Sequence, residues 1–313
     1  MKHKNNNMKI PHPIPYQGSK RNLANQIIRY FPQKIDRLIE PFSGSAAITI
    51  SAAYYFKANF FHLNDINPAL ISLWNEIINN PKEIIKKYHD IWYGQLGKEE
   101  AYYYEIREHF NYNNNPEYLL FLLARCVKAA VRYNTKGGFN QSPDHRRRGR
   151  NPAIMREDIL KVSRLLKGKV ILSCMDYKEI LKKSNSNDLV YMDPPYQGTG
   201  QNGGFKYYGG IETNELIDSL FELNERRVPF ILSYDGRTGN KSFGIPLPSE
   251  LNLTKIEINA GRSTQATLLK RNQNTYEAIY LSPALLQKIS FNEPQQQTIK
   301  AYQINMERRN NEG

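Results

Sequence analysis

Short, almost continuous apolar runs alternate along this chain with longer stretches in which apolar residues recur at helical spacing. Arg37-Leu38-Ile39-Glu40-Pro41-Phe42, Phe60-Phe61-His62-Leu63-Asn64-Asp65, Val170-Ile171-Leu172-Ser173-Cys174 and Phe230-Ile231-Leu232-Ser233-Tyr234 read as strands. Leu189-Val190-Tyr191-Met192 reads as a buried strand of a parallel sheet. Helical periodicity covers Pro68 to Ile78, Ile159 to Leu166 and Glu215 to Arg226. A helix also follows Ser19, its cap, with Leu23, Ile27 and Phe31 along one face. Leu253 to Ile258 and Tyr276 to Leu281 form a closing antiparallel pair. The order predicts an α/β protein.

Residues 82–131 break the alternation. Three helical patterns follow one another there: Ile84 to Leu96, Glu99 to Phe110, and Glu117 to Val131. Tyr102, Tyr103, Tyr104 and Tyr112 read as helix packing. A glycine-containing loop comes next, from Arg132 to Arg150, with Arg146, Arg147 and Arg148 clustered in it. These shifts divide the chain into a discontinuous α/β domain, 10–79 and 152–284, an inserted domain, 80–151, and polar tails, 1–9 and 285–313.

Composition narrows the partner. The chain has 313 residues, a formal net charge of +13, a pI near 9.5 and a mean hydropathy of −0.64. That length allows a large core, and that charge fits a nucleic-acid partner. The Arg132–Arg150 loop is the natural contact, because Arg pairs with guanine or phosphate and Asn140 can pair with adenine. Cys126 and Cys174 form no disulfide framework or metal motif and read as buried thiols in a reducing cytosol, so the expected location is cytoplasmic. No apolar stretch is long enough for a membrane span, and the Lys/Asn-rich start is not a secretory signal.

Chemistry concentrates at the ends of the strands. Ser43-Gly44-Ser45-Ala46 makes strand, small-residue turn and helix, a mononucleotide-binding geometry. Asp65 ends the second strand about 20 residues on, the spacing at which an acid reaches a ribose hydroxyl. Gly-x-Gly-x-x-Gly is absent, which argues against a nicotinamide enzyme. The turn at Tyr16-Gln17-Gly18-Ser19-Lys20 exposes N–H groups suited to an anion such as a carboxylate. Asp176 and Tyr177 end the Val170 strand, where they can meet a purine or cap the next helix. Asp193-Pro194-Pro195-Tyr196 follows the buried strand and empties into a loop with Gly198, Gly200, Gly203 and Gly204. Acid, rigid carbonyls and aromatic ring suit a flat heterocycle bearing an amino group.

Taken in order, Tyr16 to Lys20, Glu40 to Gly44, Leu63 to Asn67, Asn134 with Gly137 to Asn140, and Asp193 to Tyr196 resemble the motifs of the Dam-like, D12 class of DNA adenine N6-methyltransferases. The resemblance spans roughly residues 10 to 282. It implies a Rossmann-like, S-adenosylmethionine-dependent methyltransferase sheet with helices on both faces and an inserted, mostly helical target-recognition domain. It implies that Lys20 takes the methionine end of the cofactor. Tyr16, Phe42 and Gly44 would line the pocket, Asp65 would hold the ribose, and Asp176 with Tyr177 would meet the cofactor's adenine. Asp193, which also borders the cofactor, would act with Pro194, Pro195 and Tyr196 on a flipped-out adenine of double-stranded DNA. Asn134, Lys136, Asn140, Arg146, Arg147 and Arg148 would bind that DNA. A restriction–modification role with a cognate endonuclease is implied on family grounds. Two departures stand out: Tyr16 where the family often has Trp, and Ala46 where it often has a second glycine. The rival readings are N4-cytosine methylation, a non-catalytic DNA-binding protein of the same fold, and an RNA or protein amine methyltransferase, whose protein form the arginine loop disfavours.

Overall fold

The computed structural model describes residues 9–195, 212–238, 241–243, 246–262 and 274–289. Its strands are β1 (Ile35–Glu40), β2 (Ala58–Asn64), β3 (Val170–Ser173), β4 (Asp188–Met192), β5 (Phe230–Thr238), β6 (Lys241–Phe243), β7 (Thr254–Arg262) and β8 (Asn274–Leu281). Among the described residues they join in the order β3-β2-β1-β4-β5-β8-β7, with β6 paired to the end of β5. The pairs from β3 to β5 are parallel. β8 lies antiparallel between β5 and β7, which is the closing pair expected from the sequence.

Neighbouring residues of one strand feed opposite cores. Leu38, Leu189, Tyr191 and Ile231 point to the larger core, which takes in α2 (Ala47–Tyr54), α3 (Pro68–Asn79) and α7 (Pro152–Leu166). Ile39, Val190, Met192 and Leu232 point to the other, against α8 (Tyr177–Lys182) and α9 (Thr213–Glu225). Burial on both faces explains why these strands read as unbroken apolar runs. The inserted helices α4 (Pro81–Gly94), α5 (Glu99–Asn113) and α6 (Pro116–Arg125) share the larger core with α3 and α7.

Register at the centre is pinned by one ion pair. Arg37 on β1 donates from Nε and Nη2 to the buried Asp188 of β4, at 2.9 and 2.8 Å. Those two residues are cross-strand partners. Strand order reverses between β1 and β4, and a crevice opens beyond their carboxyl ends, where ligands bind in open α/β sheets.

Several boundaries differ from the sequence expectation. The stretch after Ser19 is a 3-10 turn (Lys20–Asn22), a short α1 (Ala24–Ile27) and a second 3-10 turn (Ile28–Tyr30). Leu23, Ile27 and Phe31 are buried as expected, but Ser19 does not cap; its Oγ accepts from Ser45 Oγ at 2.7 Å. α6 ends at Arg125 rather than running to Val131, because Cys126 turns extended and bridges to Pro143. α7 begins at Pro152, not Ile159, with Asn151 accepting from the Ala153 N–H as its cap. Cys126 is buried, but Cys174 is exposed at the end of the edge strand β3.

Candidate active site

The turn after β1 is held from three sides. Gly44 has φ +46, and a Cβ there would lie 3.2 Å from the Tyr16 ring. Its N–H donates to Asp65 Oδ2 at 3.0 Å, and its carbonyl accepts from Trp74 Nε1 at 2.9 Å. Asp65 Oδ1 accepts from the Asn67 N–H at 3.0 Å. Asp65 therefore shapes the glycine turn and the entry to α3 while lining the pocket. Burial pushes its pKa up, and the two N–H donors pull it back. Ala46 also adopts the left-handed conformation, φ 48, which accounts for a glycine being the common choice there.

Glu40, the last residue of β1, is buried and accepts from the Thr49 N–H at 2.5 Å. Its carboxyl thus caps the first turn of α2, where N–H groups lack helical partners. Burial pushes its pKa up to about 8, against the Thr49 hydrogen bond and with help from the nearby Asp193 charge. Glu40 therefore holds its proton to higher pH than an ordinary carboxylic acid.

At the end of β4 the Asp193 carboxylate meets Lys20, with Nζ to Oδ1 at 2.8 Å. Glu277 on β8 lies 3.8 Å from the same ammonium. Burial lowers the Lys20 pKa, but the two carboxylates outweigh it and hold it above the ordinary lysine value. Burial raises the Asp193 pKa, and Lys20 opposes that rise. Beneath them, the hydroxyl of buried Tyr191 hydrogen-bonds Ser233 Oγ at 2.7 Å.

Lys20, Glu40, Gly44, Asp65, Tyr191 and Asp193 line one pocket of about 230 Å³. Tyr16, Lys20, Phe42, Gly44, Asp65, Asp176, Tyr177, Asp193, Pro194 and Pro195 all border it. Tyr196 and the glycines after it lie outside the described residues. Glu40, Asn67, Val131 and Glu215 also border the pocket, with no role foreseen for them. Glu40 did carry a signal: an acid closing an apolar strand directly before Pro41.

The pocket is acid-rich inside a basic chain. Glu40, Asp65, Asp176, Asp193 and Glu215 face it, with Lys20 bound to Asp193. The Phe42 and Tyr177 rings pack 5.0 Å apart on its wall. Such a lining fits a molecule that joins a flat aromatic group to positive charge. Asp176 caps α8, accepting from the Lys178 N–H at 2.8 Å, so the helix-cap alternative is realised while the residue still borders the pocket.

The residues expected on DNA lie elsewhere, in the insertion. Residues 126–143 fold back as a hairpin-like excursion, bridged at Cys126–Pro143 and Tyr133–Phe139. Asn134 Oδ1 accepts from the Lys136 and Gly138 N–H groups at 3.0 and 2.9 Å and shapes the tip. Lys136 and Asn140 are exposed on it. The arginine cluster is not the open loop expected. Arg146 and Arg147 both donate to the buried Asp144, and Arg148 pairs with Glu99 at 3.0 Å. Buried Arg125 binds the carbonyls of Asp144 and Arg147 and fixes the segment's path. The hairpin reaches the pocket too: Gln17 N–H donates to Ala129 O at 2.9 Å, and Asn67 Nδ2 to the Tyr133 hydroxyl at 3.1 Å.

A mixed sheet with helices on both faces and an acid-lined pocket at its switch point is the architecture of an α/β methyltransferase. The comparison with known families is narrower. Residues 16–258 match the D12 class N6 adenine-specific DNA methyltransferases, and the chain belongs to that family. It is 29% identical to the Type II methyltransferase M.FokI of Planomicrobium okeanokoites, over 74% of this chain and 36% of that protein. It is 27% identical to the modification methylase StsI of Streptococcus sanguinis, over 84% of this chain and 42% of the relative. It is 26% identical to the Type II methyltransferase M.MjaIII of Methanocaldococcus jannaschii, over 88% of this chain and 100% of the relative. The chain thus spans well under half of the first two relatives and matches the whole of the third. No described helix is long and apolar enough to cross a membrane.

Proposed function

We propose that this protein transfers a methyl group from S-adenosylmethionine to N6 of adenine in double-stranded DNA. The observation that carries the proposal is the Asp193 carboxylate, half-buried on the pocket wall and held by Lys20, with Pro194 and Pro195 fixing the chain beyond it. Family membership and the +13 charge support DNA as the substrate.

The pocket suits the cofactor by charge and shape. Phe42 and Tyr177 offer an apolar wall to its adenine, Asp65 has acceptor capacity left for its ribose, and the acids favour its cationic end. When bound, the cofactor supplies an electrophilic methyl on a sulfonium.

The chain's own residues do the rest by positioning. An adenine within a duplex must first leave the stack, at a cost of a few kcal/mol. Asp193 and the Pro194 carbonyl accept hydrogen bonds from N6, drawing the amino lone pair out of conjugation and aiming it into the pocket. Tyr196 stacks on the extruded base. Lys20 keeps Asp193 anionic against burial, so the carboxylate stays an acceptor. The acceptors are in place before the charge develops, and catalysis comes from orientation and electrostatics.

The type II modification enzymes among its relatives support a role in protecting DNA against a restriction endonuclease that cuts the same site. A DNA-bound enzyme of this kind works in the cytoplasm. Incubating purified protein with labelled S-adenosylmethionine and genomic DNA tests the activity. Label in DNA for the wild type, and none for Asp193→Ala, is expected. Equal label from both proteins refutes the role of Asp193, and no label from the wild type refutes the activity.

A further inference from the structure

A second cleft, of about 320 Å³, lies beside the active-site pocket. Asn67 borders both cavities, so one residue is their common wall. The rest of the cleft comes from the first turn of α3 (Pro68, Ala69, Ser72), the end of α5 (Asn111, Asn114) and the hairpin (Tyr133, Gly137).

Among the described residues, no charged side chain lines this cleft. Its polar groups are amides and hydroxyls, and they divide into two kinds. Asn67, Asn111 and Tyr133 build the walls. Asn67 Oδ1 accepts from the Ala69 and Leu70 N–H groups, and its Nδ2 donates to the Tyr133 hydroxyl. Asn111 spends its amide on both backbone groups of Phe139, at 3.1 and 2.7 Å, and so joins α5 to the hairpin. Asn114 and Ser72 are different. Both are exposed at the cleft, and among the described residues neither side chain is held by a hydrogen bond.

We infer that this cleft is a subsite for one nucleotide flanking the methylated adenine, with Asn114 and Ser72 reading the edge of its base. A neutral lining of amide and hydroxyl suits a base edge, whereas a phosphate would call for Lys or Arg. The exposed Lys136 at the hairpin tip stands next to Gly137, where it can take the backbone outside the cleft. The volume is at the small end of ligand-sized cavities, about 300–1,000 Å³, and fits one nucleotide rather than a run of them. The assignment rests on the proposed adenine methylation of DNA.

The test uses the full-length protein and duplexes carrying its methylated site, with each flanking position randomised in turn. Asn114→Gly keeps the left-handed backbone at that residue, φ 55, and Ser72→Ala keeps the exposed helix surface. The double variant should lose about tenfold or more of its base preference at one flanking position. Preference elsewhere and cofactor affinity should stay as in the wild type. Unchanged preference at every position, or an equal loss at all of them, overturns the subsite. Absence of methylated adenine with the wild type on any duplex instead overturns the activity itself, and the subsite with it.

Discussion

The ammonium of Lys20 lies 2.8 Å from the carboxylate of Asp193 and joins the first motif of the chain to the last. Lys20 is nearly inaccessible to solvent, and Glu277 is the second acid at its ammonium. In the proposed mechanism its first task is to set the charge of Asp193. Removing one partner of a buried pair leaves the other uncompensated, which costs about 3–5 kcal/mol when burial is complete. Asp193 is only half-buried, so Lys20→Met should cost less than that. The distinctive expectation is in the pH profile. Without Lys20, burial alone acts on Asp193, its pKa rises further, and the acid limb of the rate profile moves to higher pH. A variant slowed equally at every pH would show that Lys20 does not act through Asp193.

In the proposed mechanism Asp193 acts as an anion. Its pKa is raised by burial, so wild-type activity should fall with decreasing pH from above the ordinary carboxylate range. Asp193→Asn keeps the size and loses the charge. It should lower kcat by about 10²–10³-fold, the scale for removing one preorganised electrostatic contact. Cofactor affinity, measured by titration calorimetry, should change by no more than a few-fold.

Glu40 gives a stability prediction with a definite sign. Its pKa rises from 4.5 in the open chain to about 8 in the fold, because burial penalises the charge. Below 4.5 both states are protonated and the group has no effect. Between 4.5 and 8 the unfolded chain ionises while the folded chain holds its proton, so stability declines as pH rises through that window. Glu40→Gln keeps an oxygen for the Thr49 N–H and removes the titration. Denaturant melts across the window should show a flatter decline in the variant. Parallel curves would mean that Glu40 is ionised in the fold.

The strands were legible in the sequence because they are buried on both faces, so Leu189 to Met192 and Phe230 to Tyr234 stood out as apolar runs. Gly44 and Asp65 were legible as a pair because their spacing is local, across one strand-turn-helix unit and the next strand. The Lys20–Asp193 contact was not, since only the closed sheet brings those segments together. The end of α6 was also hidden. Nothing in Cys126 to Val131 forbids a helix, and the hairpin's bridges impose the break. The arginines read as free charge because Asp144 looked like one more polar loop residue, whereas it is buried and holds two of them.

Ala46 lies in the left-handed region and is completely buried. That conformation costs an L-residue about 1–2 kcal/mol. Glycine removes the strain but gives the unfolded chain more freedom, so Ala46→Gly should stabilise the protein by at most about 1 kcal/mol. Thermal melts check this, and a lower Tm would mean that the lost burial of the methyl, about 0.8 kcal/mol, and the added chain freedom outweigh the strain.

The arginine segment makes a graded prediction. Arg146, Arg147 and Arg148 each have an acid partner, so DNA contact there means exchanging that partner for phosphate. Lys136 on the hairpin tip is exposed. Lys136→Ala should lower the slope of log affinity against log salt by about one. Arg146→Ala, Arg147→Ala and Arg148→Ala should each lower it by no more than that. An unchanged slope in all four variants would take both segments off the DNA.

The most direct measurement is the identity of the modified base. Duplex DNA incubated with the protein and S-adenosylmethionine is digested to nucleosides and resolved by mass spectrometry. N6-methyl-2′-deoxyadenosine as the methylated nucleoside, absent after Asp193→Ala, is the predicted result. N4-methylcytosine in its place, or DNA that is bound but never methylated, would contradict the account.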